Sequence, residues 1–223
     1  MLQAVNRLAI FDCDGTLVDS QANICLAMED CFARAGLPAP CRDRTRRVVG
    51  LSLVEAMRAM LPDADHDAHV ALAEDYKLSF QRLRGSGLVE EPLFDGILEL
   101  IDALEEEGWL LGVATGKSDR GLRLCLERHG LDRRFVTLQT ADRHPSKPHP
   151  SMIEQALAEA GAAPETCLMI GDTSYDMAMA RAAGVTAVGV AWGYHEADEL
   201  VAAGAHRVAV RPSDILEMTR ALA

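Results

Sequence analysis

Long apolar runs, paired cysteines, lysine and net positive charge are all scarce in this 223-residue chain. No apolar run reaches the ~18 residues that a bilayer span needs, so no membrane partner is expected. Residues 1–11 lack a basic stretch followed by an apolar one, so no export signal is expected and the cytoplasm is the expected compartment. The net charge is −12, from 22 basic against 34 acidic residues. Such a surface repels polyphosphate backbones and argues against a nucleic-acid partner. The short basic run of Arg42, Arg44, Arg46 and Arg47 does not reverse that field. The cysteines, Cys13, Cys25, Cys31, Cys41, Cys125 and Cys167, include no Cys-x-x-Cys pair. A disulfide framework or a zinc site is therefore not expected, and they read as small apolar residues in a reducing compartment. Lysine occurs only at Lys77, Lys117 and Lys147, which leaves 19 arginines among the 22 basic residues. In a chain that so prefers arginine, each lysine is a candidate for a specific role.

What is present is an ordinary globular composition, 49% hydrophobic and 25% charged. It suits one large domain or two small ones. From about residue 93 onward, apolar bursts alternate with helical periodicity. Residues 110–114, 166–170 and 186–190 read as buried strands, and 8–11 joins them. Between them, Ile97, Leu100, Ile101 and Leu104 keep helical spacing up to Gly108. Leu122, Cys125, Leu126 and His129 do so up to Gly130, and Ile153, Ala156, Leu157 and Ala160 from Pro150 to Gly161. Strand–helix alternation predicts an α/β fold: a Rossmann-like parallel sheet with helices on both faces. From Ser20 to about Arg84 only helical patterns occur, on Cys25, Met28, Phe32 and Ala35, then Leu53, Ala56, Met57 and Met60, then Leu72, Tyr76, Phe80 and Leu83. Gly85-Ser86-Gly87 then reads as a hinge. The first strand is thus expected to be separated from its sheet by an inserted helical module.

Three strands end abruptly in polar residues: Asp12-Cys13-Asp14-Gly15-Thr16, Thr115-Gly116-Lys117-Ser118, and Gly171-Asp172-Thr173-Ser174-Tyr175-Asp176. In an open parallel sheet the carboxyl ends of strands converge on the binding crevice. Asp12, Asp14, Asp172 and Asp176 would place four acids there, and a hard divalent cation such as Mg2+ resolves their repulsion. Lys147, in the proline-stiffened stretch Ser146-Lys147-Pro148-His149-Pro150, adds positive charge, and Thr115 adds a hydroxyl. Acids, a metal, a lysine and a hydroxyl together suit a phosphoryl group, whose phosphorus an aspartate can attack. Any one of these residues alone would be an ordinary turn, cap or surface residue. Their joint occurrence at successive strand ends is what argues for a site.

These motifs resemble those of the haloacid dehalogenase-like (HAD) superfamily of phosphohydrolases, over nearly the whole chain. Residues 12–20 are similar to its first motif, DxDGT; Thr115 to the second, Lys147 to the third, and Gly171-Asp172 with Asp176 to the fourth. The helical insertion after the first motif, with Trp192-Gly193-Tyr194 and Gly204-Ala205, resembles the C1-cap subgroup of phosphoglycolate phosphatases and β-phosphoglucomutases. The resemblance implies a core from 1–18 and 88–223, and a helical cap from 19–87. It implies Asp12 as nucleophile forming an aspartyl-phosphate, and Asp14 as acid, then base. Asp12, the Asp14 carbonyl and Asp172 would hold Mg2+ as cofactor, supported by Asp176. Thr115 and the Gly116 amide would bind phosphate oxygens, Lys147 would neutralise charge at Asp12, and Gly15 would let the turn pass close to the ligand.

The expected activity is Mg2+-dependent hydrolysis of a small phosphorylated metabolite, with phosphoglycolate the leading example and no oligomeric state implied. A dehalogenase lacks the second aspartate of DxD, and a phosphonatase needs a cap lysine near residues 50–53, where none occurs. A β-phosphoglucomutase-type phosphotransferase keeps all four motifs, but Ile24 and Leu53 stand where its histidine and arginine belong. A non-catalytic binding module on this fold typically loses Asp12 or Asp14, and both are present. Gly116-Lys117-Ser118 imitates the end of a nucleotide-binding P-loop, but position 111, where its first glycine belongs, is Leu111. Lys117 is then expected to be a surface residue at a helix start. In the cap, residues 49–52 are the expected substrate contact. Arg46 and Arg47 offer a bidentate carboxylate clamp, weighed against a solvated helix face. His144, His149 and His195 are assigned no catalytic role, and Trp192 and Tyr194 are expected to pack rather than stack on substrate.

Overall fold

A computed structural model describes residues 6–220; the outermost positions of the expected core, 1–5 and 221–223, lie outside them. Six parallel strands form one sheet: β1 (Asn6–Phe11), β2 (Leu110–Thr115), β3 (Thr137–Thr140), β4 (Ala162–Gly171), β5 (Thr186–Val190) and β6 (Arg207–Ala209), in the order β3-β2-β1-β4-β5-β6. The expected α/β architecture is what is observed. β1 lies between β2 and β4, paired Phe11 to Val113 and Phe11 to Ile170, so their carboxyl ends lie side by side. The chain winds outward in both directions from this point, which is where open α/β sheets place their ligands.

Strand alternation builds two cores. Ala9 and Phe11 of β1 face one side, with Ile97, Leu104, Val113, Leu126 and Ile170. Leu8 and Ile10 face the other, with Ile153, Met169, Met177 and Leu200. Helices α5 (Ile97–Glu106), α6 (Asp119–Arg128) and α10 (Pro212–Arg220) cover the first face. Helices α7 (Ser151–Ala160), α8 (Ser174–Ala183) and α9 (Ala197–Ala202) cover the second. Edge strands β3 and β6 were not expected from the sequence. β3 is the polar tetrapeptide Thr137-Leu138-Gln139-Thr140 and β6 has three residues, so neither carries an apolar burst.

Between β1 and β2 the chain inserts α1 (Gln21–Arg34), α2 (Arg42–Arg46), α3 (Leu53–Met60) and α4 (His66–Gly85) around a third core of Met28, Phe32, Met57, Met60, Leu72 and Tyr76. The five-residue α2 was not expected. The two crossings between insertion and sheet run together. Val18 bridges Leu93, the Asp19 amide donates to the Pro92 carbonyl at 2.8 Å, and the Asn23 side-chain amide donates to the Glu90 carbonyl. Gly85, the first residue of the expected hinge, ends α4, and residues 85–88 are exposed. All six cysteines are unpaired and all but Cys41 are buried. Among the described residues no helix is long and apolar enough to cross a membrane.

Candidate active site

The loop after β1 folds back on itself: the Leu17 amide donates to the Cys13 carbonyl and the Gly15 amide to the Val18 carbonyl, both at 2.9 Å. Gly15 has φ +82°, and a Cβ there would stand 2.2 Å from Asp172 Oδ2. Only glycine tolerates both the conformation and the approach. The turn leaves Asp12 at the strand end, buried, with its amide donating to the Ile170 carbonyl of β4 at 2.9 Å.

Asp12, Asp172 and Asp176 are brought together, each offering a carboxylate oxygen within 4.8 Å of the others. Lys147, fully buried, lies between two of them, 3.0 Å from Asp12 Oδ2 and donating to Asp176 Oδ1 at 2.7 Å. The other Asp176 oxygen accepts from the Thr173 amide at 3.0 Å and hydroxyl at 2.7 Å, the capping box of α8. Asp172 accepts from the Thr16 hydroxyl at 2.8 Å and the Tyr194 amide at 2.9 Å. Asp12 Oδ1 accepts from the Cys13 amide at 2.6 Å. Asp12 Oδ2 is different: the Lys147 ammonium is near, but among the described residues no donor points a hydrogen bond at it.

Electrostatics express the crowding. Burial drives the Asp12 carboxyl up to about 7 against the pull of Lys147, with Asp176 and Asp14 raising it further. Burial, then the charges of Asp12 and Asp176, push Asp172 well above the carboxylate range. For Lys147, burial disfavours the charge, but Asp12 and Asp176 outweigh it and hold the ammonium above its ordinary value. Three buried acids against one ammonium leave a deficit of positive charge. The oxygen donors of all three acids are hard. The residues therefore fit a hard divalent cation.

Asp14 turns away from this cluster. Its carboxylate accepts from the Ser20 hydroxyl and pairs with Lys117. Its side chain is thus not among the three clustered acids, although the four-acid expectation included it. Lys117 is a clear correction. It is not a surface residue: its side chain is 10% exposed and bridges Asp14 to Glu91, 2.9 Å away and itself fully buried. Arg84 of the insertion pairs with the same Glu91 at 2.9 Å. Scarcity of lysine was the signal that Lys117 had work to do. Its partner Glu91 was invisible because it lies in a linker beside the exposed Glu90.

Thr115 ends β2, buried, its hydroxyl accepting from the Lys117 amide at 3.2 Å. Thr115, Gly116 and Lys117 share with Asp12 and Asp14 one wall of a cavity of about 380 Å³ beneath the insertion. Its other wall includes Val49, Gly50 and Leu51, from the stretch expected to meet substrate. The Ser52 amide donates to the Ser146 hydroxyl at 2.8 Å, anchoring that stretch beside Lys147. Arg46 pairs with Asp43 and Arg47 with Glu199, and neither lines the cavity. Nδ1 of His195 accepts from the Ser174 amide at 3.1 Å, and Nδ1 of His149 from the Ser151 amide at 3.2 Å. His144 joins Gln139 to Ser151, both contacts at 2.8 Å. Trp192 packs on Phe94 and donates to the Thr16 carbonyl at 3.1 Å.

Known proteins resemble this chain. A family model described as "Haloacid dehalogenase-like hydrolase" matches residues 9–190. The chain is 35% identical over 221 residues to "Probable phosphatase IndB" of Dickeya dadantii, covering 96% of this chain and 94% of that protein. It is 32% identical over 198 residues to "Phosphoglycolate phosphatase" of Xanthomonas campestris, covering 86% of each. Among solved structures, a hydrolase from Pseudomonas syringae superposes with a TM-score of 0.85 at 27% identity, covering 98% of this chain and 100% of that one.

Proposed function

The chain belongs to the haloacid dehalogenase-like hydrolases and is a phosphatase of that family, and we propose that it hydrolyses a small phosphomonoester with Mg2+ through an aspartyl-phosphate on Asp12. The observation that carries this reading is Asp12 Oδ2, a buried carboxylate oxygen beside Lys147 to which no other group among the described residues donates a hydrogen bond. A buried carboxylate oxygen at a strand end with only an ammonium beside it is placed to act as a nucleophile.

Asp12 attacks phosphorus, and the bond from phosphorus to the leaving oxygen breaks. Asp14 gives its proton to that oxygen, then takes a proton from water as the water attacks the phosphoenzyme. The phosphorus–Asp12 bond breaks and inorganic phosphate leaves. Lys147, Thr115 and the Gly116 amide offset the negative charge on the phosphoryl oxygens. Asp12, the Asp14 carbonyl and Asp172 would hold Mg2+, with Asp176 behind them. When bound, the ion supplies further charge neutralisation at the phosphoryl group. Helices of the insertion, 19–87, act as a cap that excludes water from the crevice.

The test is phosphate release from p-nitrophenyl phosphate. Turnover should require Mg2+ and disappear with EDTA. Asp12→Asn should lower kcat by about three orders of magnitude or more with its circular dichroism retained. Full activity of Asp12→Asn, or interconversion of sugar phosphates with no phosphate released, overturns the proposal.

A further inference from the structure

The cavity beneath the insertion is larger and more apolar than a two-carbon acid requires. Its volume of about 380 Å³ is more than twice the ~150 Å³ of an apolar cavity that binds benzene. Opposite the Asp12 wall stand Ile24, Met28, Leu51, Leu53, Tyr76 and Phe80. The two aromatic rings lie 6.1 Å apart, and Tyr76 is buried.

Positive charge in that space is already engaged. Lys117 is paired with both Asp14 and Glu91, Arg84 with Glu91 while lying over the Phe80 ring, and Lys77 with Glu74. Arg120, the remaining cation of the lining, is exposed to solvent. Arg46 and Arg47, the clamp that a carboxylate would need, are directed elsewhere. A carboxylate on the leaving group would lose its water against aliphatic and aromatic carbon, and among the described lining residues the only cation that is not ion-paired is the solvent-exposed Arg120, so the transfer is costly. An apolar leaving group gains from the same surface.

We propose that the preferred substrate of this site is a phosphomonoester whose leaving alcohol is bulky, uncharged and apolar, seated against Leu51, Tyr76 and Phe80. This rests on the phosphatase reading and extends it to a substrate class.

Ethyl, butyl and hexyl phosphate form the test series, with 2-phosphoglycolate beside them. The alkyl members leave as alcohols of similar acidity, so differences in kcat/KM report the cavity and not the chemistry. Each buried methylene should raise kcat/KM up to about fourfold. Hexyl phosphate should exceed both ethyl phosphate and 2-phosphoglycolate at least tenfold. Val49→Phe, which narrows the cavity from its loop, should flatten the series to within about threefold. A flat or falling series, a better rate with 2-phosphoglycolate, or a steep series untouched by Val49→Phe overturns the assignment while p-nitrophenyl phosphate turnover keeps the phosphatase reading. Calorimetry on the Asp12→Asn protein separates the two from the other side. Tighter binding of hexyl than of ethyl phosphate supports the apolar seat even without turnover, and equal binding refutes it.

Discussion

Burying Asp12, Asp172 and Asp176 within one cluster around a single ammonium is a stability liability at the scale of individual residues. A bound cation would offset that liability. Binding of a cation to the folded state alone stabilises by mass action, about 2.7 kcal/mol at a concentration a hundredfold above Kd. Mg2+ should therefore raise the thermal midpoint by several degrees and EDTA should reverse it. Asp172→Asn should abolish the increment, because it removes a charged hard ligand held by Thr16 and Tyr194. Differential scanning calorimetry with and without Mg2+ checks this apart from any activity. An undiminished increment in Asp172→Asn would place the ion elsewhere. Asp12, Asp172 and Asp176 were legible in the sequence because each follows an apolar strand or opens a helix, and Lys147 because it lies in a proline-stiffened stretch ahead of one. Lys117 was not, because what buries it is a carboxylate 26 positions earlier whose own neighbours are solvated.

Elements position these residues through their ends. Thr173 caps α8 and in doing so holds Asp176, so helix initiation and site assembly are one event. A second such tie lies at the sheet edge. Glu159 of α7 accepts from the Thr137 hydroxyl at 2.6 Å and the Gln139 amide at 2.8 Å, fastening the helix to β3. The Thr137 hydrogen bond, with those from Gln155 and Gln139 and the charge of Arg143, holds the Glu159 carboxyl below its ordinary value despite partial burial. A depressed carboxyl contributes stability that is present above the unfolded-state pKa, near 4.5, and lost as the pH falls through the folded-state value. The urea midpoint of the native protein should thus exceed that of Glu159→Gln at pH 6.5, with the gap closing toward pH 3. A gap constant with pH would show that the bond works through shape alone. Strands β1, β2, β4 and β5 were legible because burial on both faces demands continuous apolar runs. Edge strands β3 and β6 need only one neighbour and short, partly polar segments suffice, so pattern alone could not find them.

Whole-molecule behaviour depends on how the insertion meets the sheet. Three ties converge there: the paired crossings at Val18 and Leu93, the Ser52–Ser146 hydrogen bond, and the charge chain from Arg84 through Glu91 and Lys117 to Asp14. The chain joins the end of α4 to the proposed proton donor, so the seating of the insertion and the placement of that donor share the same atoms. The inserted module was legible as a run of helical patterns, whereas this ion-paired seam was not, since it unites residues from three distant segments. Gly116 lies directly under the insertion. A Cβ there would stand 2.6 Å from the Leu51 carbonyl oxygen and 2.8 Å from that of Gly50, backbone atoms that cannot rotate away. Gly116→Ala should therefore push residues 50–51 off the crevice while leaving both cores packed. A displacement of order 1 Å at a reacting centre costs about a hundredfold in rate. The expected result is a ten- to hundredfold fall in kcat/KM, roughly in line with that figure, with a urea midpoint close to that of the native protein. Proteolytic cleavage at the exposed 85–87 stretch should quicken, because the insertion is no longer held down. Native activity and native cleavage rate in Gly116→Ala would mean that the insertion does not seat on this glycine during turnover.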